Sequence, residues 1–209
     1  MSERGELGPP AAGPPAGGAG DLGAGDLGAE LLSRFPNLKA AQTPIRDYPT
    51  VRLSAPEDLL PAVRYLKEAQ GFDYLEIITA VDWLGPVNME GFVREPNFNP
   101  FLPEGASPQI TPTANPAVKY RPVFDCLWCL ASLTGRKRIF LRLEISRENP
   151  RVPSLEGLFK AADWQEREAF DLLGLAFSGH PNLCKILTPD FISGHPLRKD
   201  YAHVKDKYD

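Results

Sequence analysis

At 209 residues the chain has room for one domain with tails, and its hydrophobic share of 43% is that of an ordinary globular protein. The net charge is -4 with no long run of one sign, so nothing points to an electrostatic grip on nucleic acid or anionic lipid. No apolar stretch approaches the ~20 residues that a bilayer span needs, and Met1–Gly28 lacks the basic and apolar regions of a secretory signal. A cytosolic chain that reaches a membrane only through partners is the expectation.

Residues 1–28 are Gly, Ala and Pro with scattered charges and nothing to bury, which predicts a disordered N-terminus. Glu30 to Phe35 reads as a short helix, and Leu38 to Thr43 and Thr50 to Leu53 as strands. Ser54 and Glu57 fit a capping box ahead of a helix that places Leu59, Ala62, Val63, Leu66 and Ala69 on one face, with Gly71 as its left-handed stop. Tyr74 to Trp83 reads as a strand. Residues 85–121 then carry Pro throughout with no periodicity, the mark of a long surface insertion. Val123 to Leu133 has the near-continuous apolar run of a buried strand. After the turn Thr134–Lys137, Arg138 to Ser146 alternates strictly, with Ile139, Leu141, Leu143 and Ile145 on one side. A helix over Leu155 to Ala161 capped by Ser154 is predicted next, then a second from Asp163 to Gly174 with Asp163 and Glu166 as its capping box.

This order predicts an α+β fold: a two-layer domain over residues 29–174, mainly antiparallel sheet with helices on one face. Residues 175–209 show little periodicity and read as an extended partner-binding tail. With so many polar groups it is expected to bury little against its own domain, so that a chain ending at Ser193 folds but does not assemble.

The chemistry-bearing motifs are few. Cys126 and Cys129 form a C-x-x-C, but on a strand residues three apart point to opposite faces, and no second ligand pair exists for zinc. Cys184 makes an odd third, too few thiolates for an iron–sulfur cluster. There is no G-x-G-x-x-G, Walker loop, H-E-x-x-H or G-x-S-x-G. His180 and His195 sit in two Gly-His-Pro triplets, whose likeness points to turn anchoring rather than to a metal. An independent thiol or metal enzyme built on the cysteines and histidines is the contrasting hypothesis, and bound metal or thiol turnover would mark it.

One stretch concentrates unusual choices. Glu166, Arg167, Glu168 and Asp171 crowd one short helix, where Arg167 and Asp171 are spaced for an i,i+4 pair. Gly179-His180-Pro181, then Lys185-Ile186-Leu187-Thr188, then Gly194-His195-Pro196-Leu197-Arg198-Lys199-Asp200-Tyr201 follow. This ordered set resembles the 30-kilodalton subunit family of respiratory complex I, with its E-R-E-x-x-D-L-x-G, G-H-P, I-L-T and G-H-P-L-R-K-D-Y pattern. Asp82-Trp83 and Asn149-Pro150-Arg151-Val152-Pro153-Ser154 are similar to upstream family features, whereas Cys184 stands where the family usually has a basic residue.

The resemblance implies a non-catalytic subunit of the peripheral arm of a proton-translocating NADH:quinone oxidoreductase, on the cytoplasmic side of the cell membrane. It implies no cofactor in this chain: NADH, FMN, iron–sulfur clusters and quinone belong to other subunits. It also implies packing on the 49-kilodalton partner and other peripheral-arm subunits. The implied interface comprises Glu166, Arg167, Glu168, Asp171, His180, Lys185, His195, Arg198, Lys199, Asp200 and Tyr201. An equivalent subunit of a membrane-bound hydrogenase or formate hydrogenlyase-type complex is the near alternative.

Overall fold

Alternating and continuous apolar runs become one sheet with a buried and an open face. The computed structural model describes residues 27–41, 45, 48–85 and 119–201. The 1–26 part of the low-complexity N-terminus and the 86–118 part of the Pro-rich insertion lie outside them, as does the chain after residue 201. In chain order come α1 (Leu27–Arg34), β1 (Lys39–Ala40), β2 (Thr50–Arg52), α2 (Leu59–Gln70), β3 (Tyr74–Asp82), β4 (Val123–Ser132), β5 (Lys137–Ser146), β6 (Arg151–Pro153), α3 (Ala162–Leu173) and β7 (Ala176–Ser178).

Five strands form the sheet in the order β1-β2-β5-β4-β3, antiparallel throughout except for the β2–β5 pair. The β2–α2–β3 connection is therefore a crossover that carries the chain past β5 and β4 to the far edge. The row Val51–Leu141–Trp128–Ile78 crosses the buried face in register. Against this face pack Leu59, Ala62, Val63 and Leu66 of α2 and Ala162, Ala169 and Leu173 of α3, in one apolar cluster. The α+β fold with helices on one face is as expected. Ala69, placed on the buried side of α2 by its spacing, is exposed, since the helix ends at Gly71 with φ 71 and its last turn clears the sheet.

The open face is held by ion pairs across the strands. Glu144 takes Arg121 in a two-pronged pair at 2.5 and 2.7 Å and Arg52 at 2.6 Å. Hydrogen bonds from Arg121 are the main cause that keeps the Glu144 carboxyl at about 2. Arg142 pairs with Asp125, and Arg138 with Glu76 at 2.7 Å. The two neighbouring thiols diverge as the strand requires. Cys126 enters the core, while Cys129 on the opposite face donates to Glu76 at 3.1 Å. Burial raises both thiol pKa values, that of Cys129 to about 12, so neither is a ready thiolate nucleophile.

Local expectations fail where a side chain finds a better partner at a distance. The cap before α2 lies one residue later than its sequence pattern. Asp58 accepts the Ala55 N–H at 3.0 Å, while the Ser54 hydroxyl bonds the Asn37 carbonyl instead. Residues 155–161 make successive turns, not a helix, because Ser154 and Leu155 are tied to Glu166 rather than to a first helical turn. In the β4–β5 hairpin the left-handed residue is Arg136, at φ 50, and not Gly135.

The division after residue 174 also does not hold. β7 pairs in parallel with β6, matching Val152 to Phe177, and Leu175 and Phe177 are buried in the main core. The segment that follows is irregular, as expected, but it lies bonded onto the domain.

Candidate partner interface

α3 organises the C-terminal part of the chain through its charged residues. Glu166 is 0% exposed and accepts the Ser154 hydroxyl and the Leu155 N–H, each at 2.6 Å. Asp171, also fully buried, accepts the N–H groups of Ile186 at 3.0 Å and of Leu187 and Thr188 at 2.8 Å, plus the Thr188 hydroxyl. Neither residue faces solvent. The expected Glu166 capping box and Arg167–Asp171 pair are absent among the described residues for this reason. Arg167 instead donates to the carbonyls of Cys184 and Lys185 at 3.2 Å and lies over the Trp164 ring.

The two carboxyls titrate in opposite senses. Burial pushes Glu166 up from 4.5 to about 7, against the hydrogen bonds from Ser154 and Leu155. Burial also works to raise Asp171, but the Thr188 hydroxyl and the amides of residues 186–188 outweigh it and hold the group at about 2. Folded Glu166 keeps its proton up to about pH 7, whereas the unfolded chain releases it near 4.5. The folded state therefore binds the extra proton in that window, and stability declines as pH rises through it, by about 3 kcal/mol from this group. Glu166→Gln keeps an acceptor for Leu155 and a partner for Ser154. Urea unfolding at pH 5 and pH 8 is expected to show a drop in the parent that is largely gone in the variant. Equal drops in both proteins refute the assignment.

The two Gly-His-Pro triplets fasten the two ends of α3. The N–H of Asn182 donates to His180 Nδ1 at 3.0 Å, so the ring proton sits on Nε2, 3.3 Å from the Asp163 carbonyl. His195 donates from Nδ1 to the Asp171 carbonyl at 2.9 Å. The last carbonyls of a helix lack intrahelical donors. Here the Leu197 N–H caps Leu172 at 2.9 Å and Arg198 Nε caps Leu173 at 2.7 Å. Gly174 allows this approach: a Cβ there would run into the Arg198 guanidinium and stand 2.6 Å from His195, and its φ is 75. Lys185 donates to the Ile192 carbonyl, and the Tyr201 N–H bonds the Arg198 carbonyl at 3.1 Å while its ring packs on Gly194.

A clasp at the end of the sheet completes the attachment. Buried Asp82 accepts Arg147 and the Lys199 N–H, each at 2.9 Å, and Arg147 reaches on to Asp200 at 2.6 Å. Arg147 and Arg198 both lie over the Phe124 ring, 5.4 Å from its centre. The expectation that the tail buries little against its own domain is thus overturned for residues 175–201. Its polar groups are spent on the carbonyls of α3 and on Asp82, acceptors that become visible only in three dimensions.

Of the charged residues singled out from sequence, Glu168 and the side chain of Lys199 remain outward, while the others bond within the chain. Alongside them α3 and the tail present large apolar side chains to solvent. Trp164, Leu187, Phe191 and Leu197 are 57–72% exposed. Exposed groups of this kind mark interaction surfaces, and Trp is the residue type most often found at their energetic centre. The interface expected from sequence included none of the four, although Leu187 and Leu197 stand within the ordered motifs.

A family model described as respiratory-chain NADH dehydrogenase, 30 Kd subunit, matches residues 53–207. A subunit of the NADH-quinone oxidoreductase of Moorella thermoacetica is 35% identical over 172 residues, 82% of this chain and 90% of that protein. The equally named chain of Hydrogenovibrio crunogenus is 36% identical over 166 residues, 77% of this chain and 73% of that one. A solved chain of the membrane-bound sulfane sulfur reductase, an archaeal respiratory membrane complex, shares the fold, with a TM-score of 0.53 and 18% identity over 83% of this chain and 82% of that chain. No helix among the described residues is long and apolar enough to cross a membrane. With the matched region running from just after β2 into the tail, and the C-terminal motifs within it bonded around α3, the chain belongs to the family of the respiratory-chain NADH dehydrogenase 30-kilodalton subunit.

Proposed function

We propose that this chain is a structural subunit of the peripheral arm of a proton-translocating NADH:quinone oxidoreductase, on the cytoplasmic side of the membrane. It supports electron transfer from NADH to quinone by packing on the large 49-kilodalton type subunit. NADH, FMN, iron–sulfur clusters and quinone are held elsewhere in the complex, and this chain performs no chemical step. The observation that carries the reading is the α3–tail face. Most of its charged residues are consumed in building the face, and Trp164, Leu187, Phe191 and Leu197 are left 57–72% exposed. Such a surface is made to be covered.

Purification of the tagged chain in mild detergent, with its co-purifying chains identified, tests the reading and separates complex I from a hydrogenase-type assembly. Trp164→Ala combined with Phe191→Ala is expected to reduce the co-purified large subunit about tenfold or more, since truncating a central aromatic anchor commonly costs about 2 kcal/mol of binding. The isolated variant is expected to melt within a few degrees of the parent, because both side chains are exposed. Undiminished recovery of the large subunit contradicts the reading.

A further inference from the structure

We propose that the tip of the β4–β5 hairpin is a second interaction surface, a basic cleft for the carboxylates of an acidic, partly apolar segment on a different partner subunit. It rests on the reading of the chain as one component of an assembly. The cleft, of about 300 Å³, is lined by Tyr48, Glu76, Ser132, Arg136, Lys137 and Arg138 among others. Arg138 is spoken for: it pairs with Glu76 at 2.7 Å and lies 5.0 Å from the Tyr48 ring centre. Arg136 and Lys137 are exposed and make no ion pair among the described residues. Asp73 closes the base of the turn by accepting the Leu133 N–H at 3.2 Å. Counting Asp73, three cations and two carboxylates leave the tip at +1, on a chain whose net charge is -4.

The neighbours of the cleft decide between anions. Leu133 is 64% exposed and Tyr74 48% exposed at the same end of the sheet, where Tyr74 stands opposite Ala131. Two large apolar side chains beside unpaired cations suit a peptide segment and give nothing to a free phosphate. An anionic membrane is a poor match as well, because its attraction for only two free basic residues is weak. The tip is also far from the clasp that holds the tail. Asp82 and Arg147 hold the tail at the opposite end of the sheet, a ten-residue strand away, which is about 30 Å. A chain with contacts at both ends bridges two partners. The left-handed backbone at Arg136, φ 50, presents this side chain at a position where glycine fits with less strain.

The test uses the full chain in its complex, purified in mild detergent and compared by subunit stoichiometry. R136E/K137E is expected to keep the large subunit at parental yield and to lose one other subunit at least tenfold. Trp164→Ala with Phe191→Ala gives the reverse order of losses. Arg136→Gly, which relieves the backbone, is expected to weaken recovery of the same second subunit without lowering the melting temperature, which separates binding from folding. If R136E/K137E leaves every subunit at its parental ratio, the proposal is overturned while the assembly reading stands. If the parental chain brings down no partner, both fall. Binding of pyrophosphate, or of phosphatidylglycerol vesicles, that depends on Arg136 and Lys137 while subunit ratios stay unchanged reassigns the cleft to phosphate or membrane and likewise overturns the proposal.

Discussion

Replacing Asp171 by alanine is expected to lower the melting temperature of the isolated chain by about 10 °C. Three backbone N–H groups and the Thr188 hydroxyl converge on this one buried carboxylate. Hydrogen bonds to a charged group are each worth about 1.5–3 kcal/mol net, and they do not add fully when removed together. A total near 4 kcal/mol is a reasonable expectation, and a chain of this size shifts by about 2–4 °C per kcal/mol. Asp171→Asn keeps one acceptor oxygen without the charge and should fall about midway. The pH dependence identifies the cause. Because the folded carboxyl is held at about 2 against an ordinary 3.8, its contribution is complete above about pH 4 and is lost as pH falls through 2. The parent therefore loses stability on acidification in a way that the alanine variant does not. Thermal unfolding at pH 7 and pH 3 reads both effects, and an alanine variant melting within two degrees of the parent at pH 7 would show that Asp171 holds nothing.

Ending the chain at Ser193 is expected to destabilise the monomer by about 3–5 kcal/mol, in addition to any loss of assembly. The cut removes the donors that cap Asp171, Leu172 and Leu173 at the end of α3, and it takes the Lys199 N–H from Asp82 and Asp200 from Arg147. At about 1 kcal/mol for each lost hydrogen bond the sum is of that size, and a buried group left without its partner costs more. Arg198→Ala alone removes the Leu173 cap and one of the two guanidinium groups over Phe124, and about 1–2 kcal/mol should follow. Urea titration of the truncated chain decides the matter. An unchanged midpoint would mean that these bonds are not formed in solution and that the tail serves assembly only.

The contrast between the sheet and α3 shows what kind of information a sequence holds in plain view. Alternation in β5 placed Ile139, Leu141, Leu143 and Ile145 on one face correctly, because period-two burial is a property of the strand itself. Gly71 and Gly174 marked helix ends for an equally local reason, the left-handed backbone each adopts. The i,i+4 spacing of Arg167 and Asp171 was just as local and was wrong. Three convergent N–H groups outcompete one exposed ion pair, whose value is only about 0.3–0.5 kcal/mol.

By itself, then, the sequence determined the α+β fold, the buried rows of the sheet, the divergence of Cys126 and Cys129, and the family through the ordered motifs of the C-terminal third. Tertiary structure alone decided what those motifs do. Glu166, Asp171, His195 and Arg198 look like surface chemistry when read along the chain, and they serve as internal fasteners, Glu166 because the turns before α3 fold onto it and the other three because the tail returns to the end of α3. The outward face passed instead to Trp164, Leu187, Phe191 and Leu197. The physical reason is that a polar group's partner is set by distance in space, and the carbonyls of a helix end or a buried Asp82 leave no trace in spacing. Apolar periodicity is written in single residues, whereas the satisfaction of a buried polar group needs two distant segments to meet.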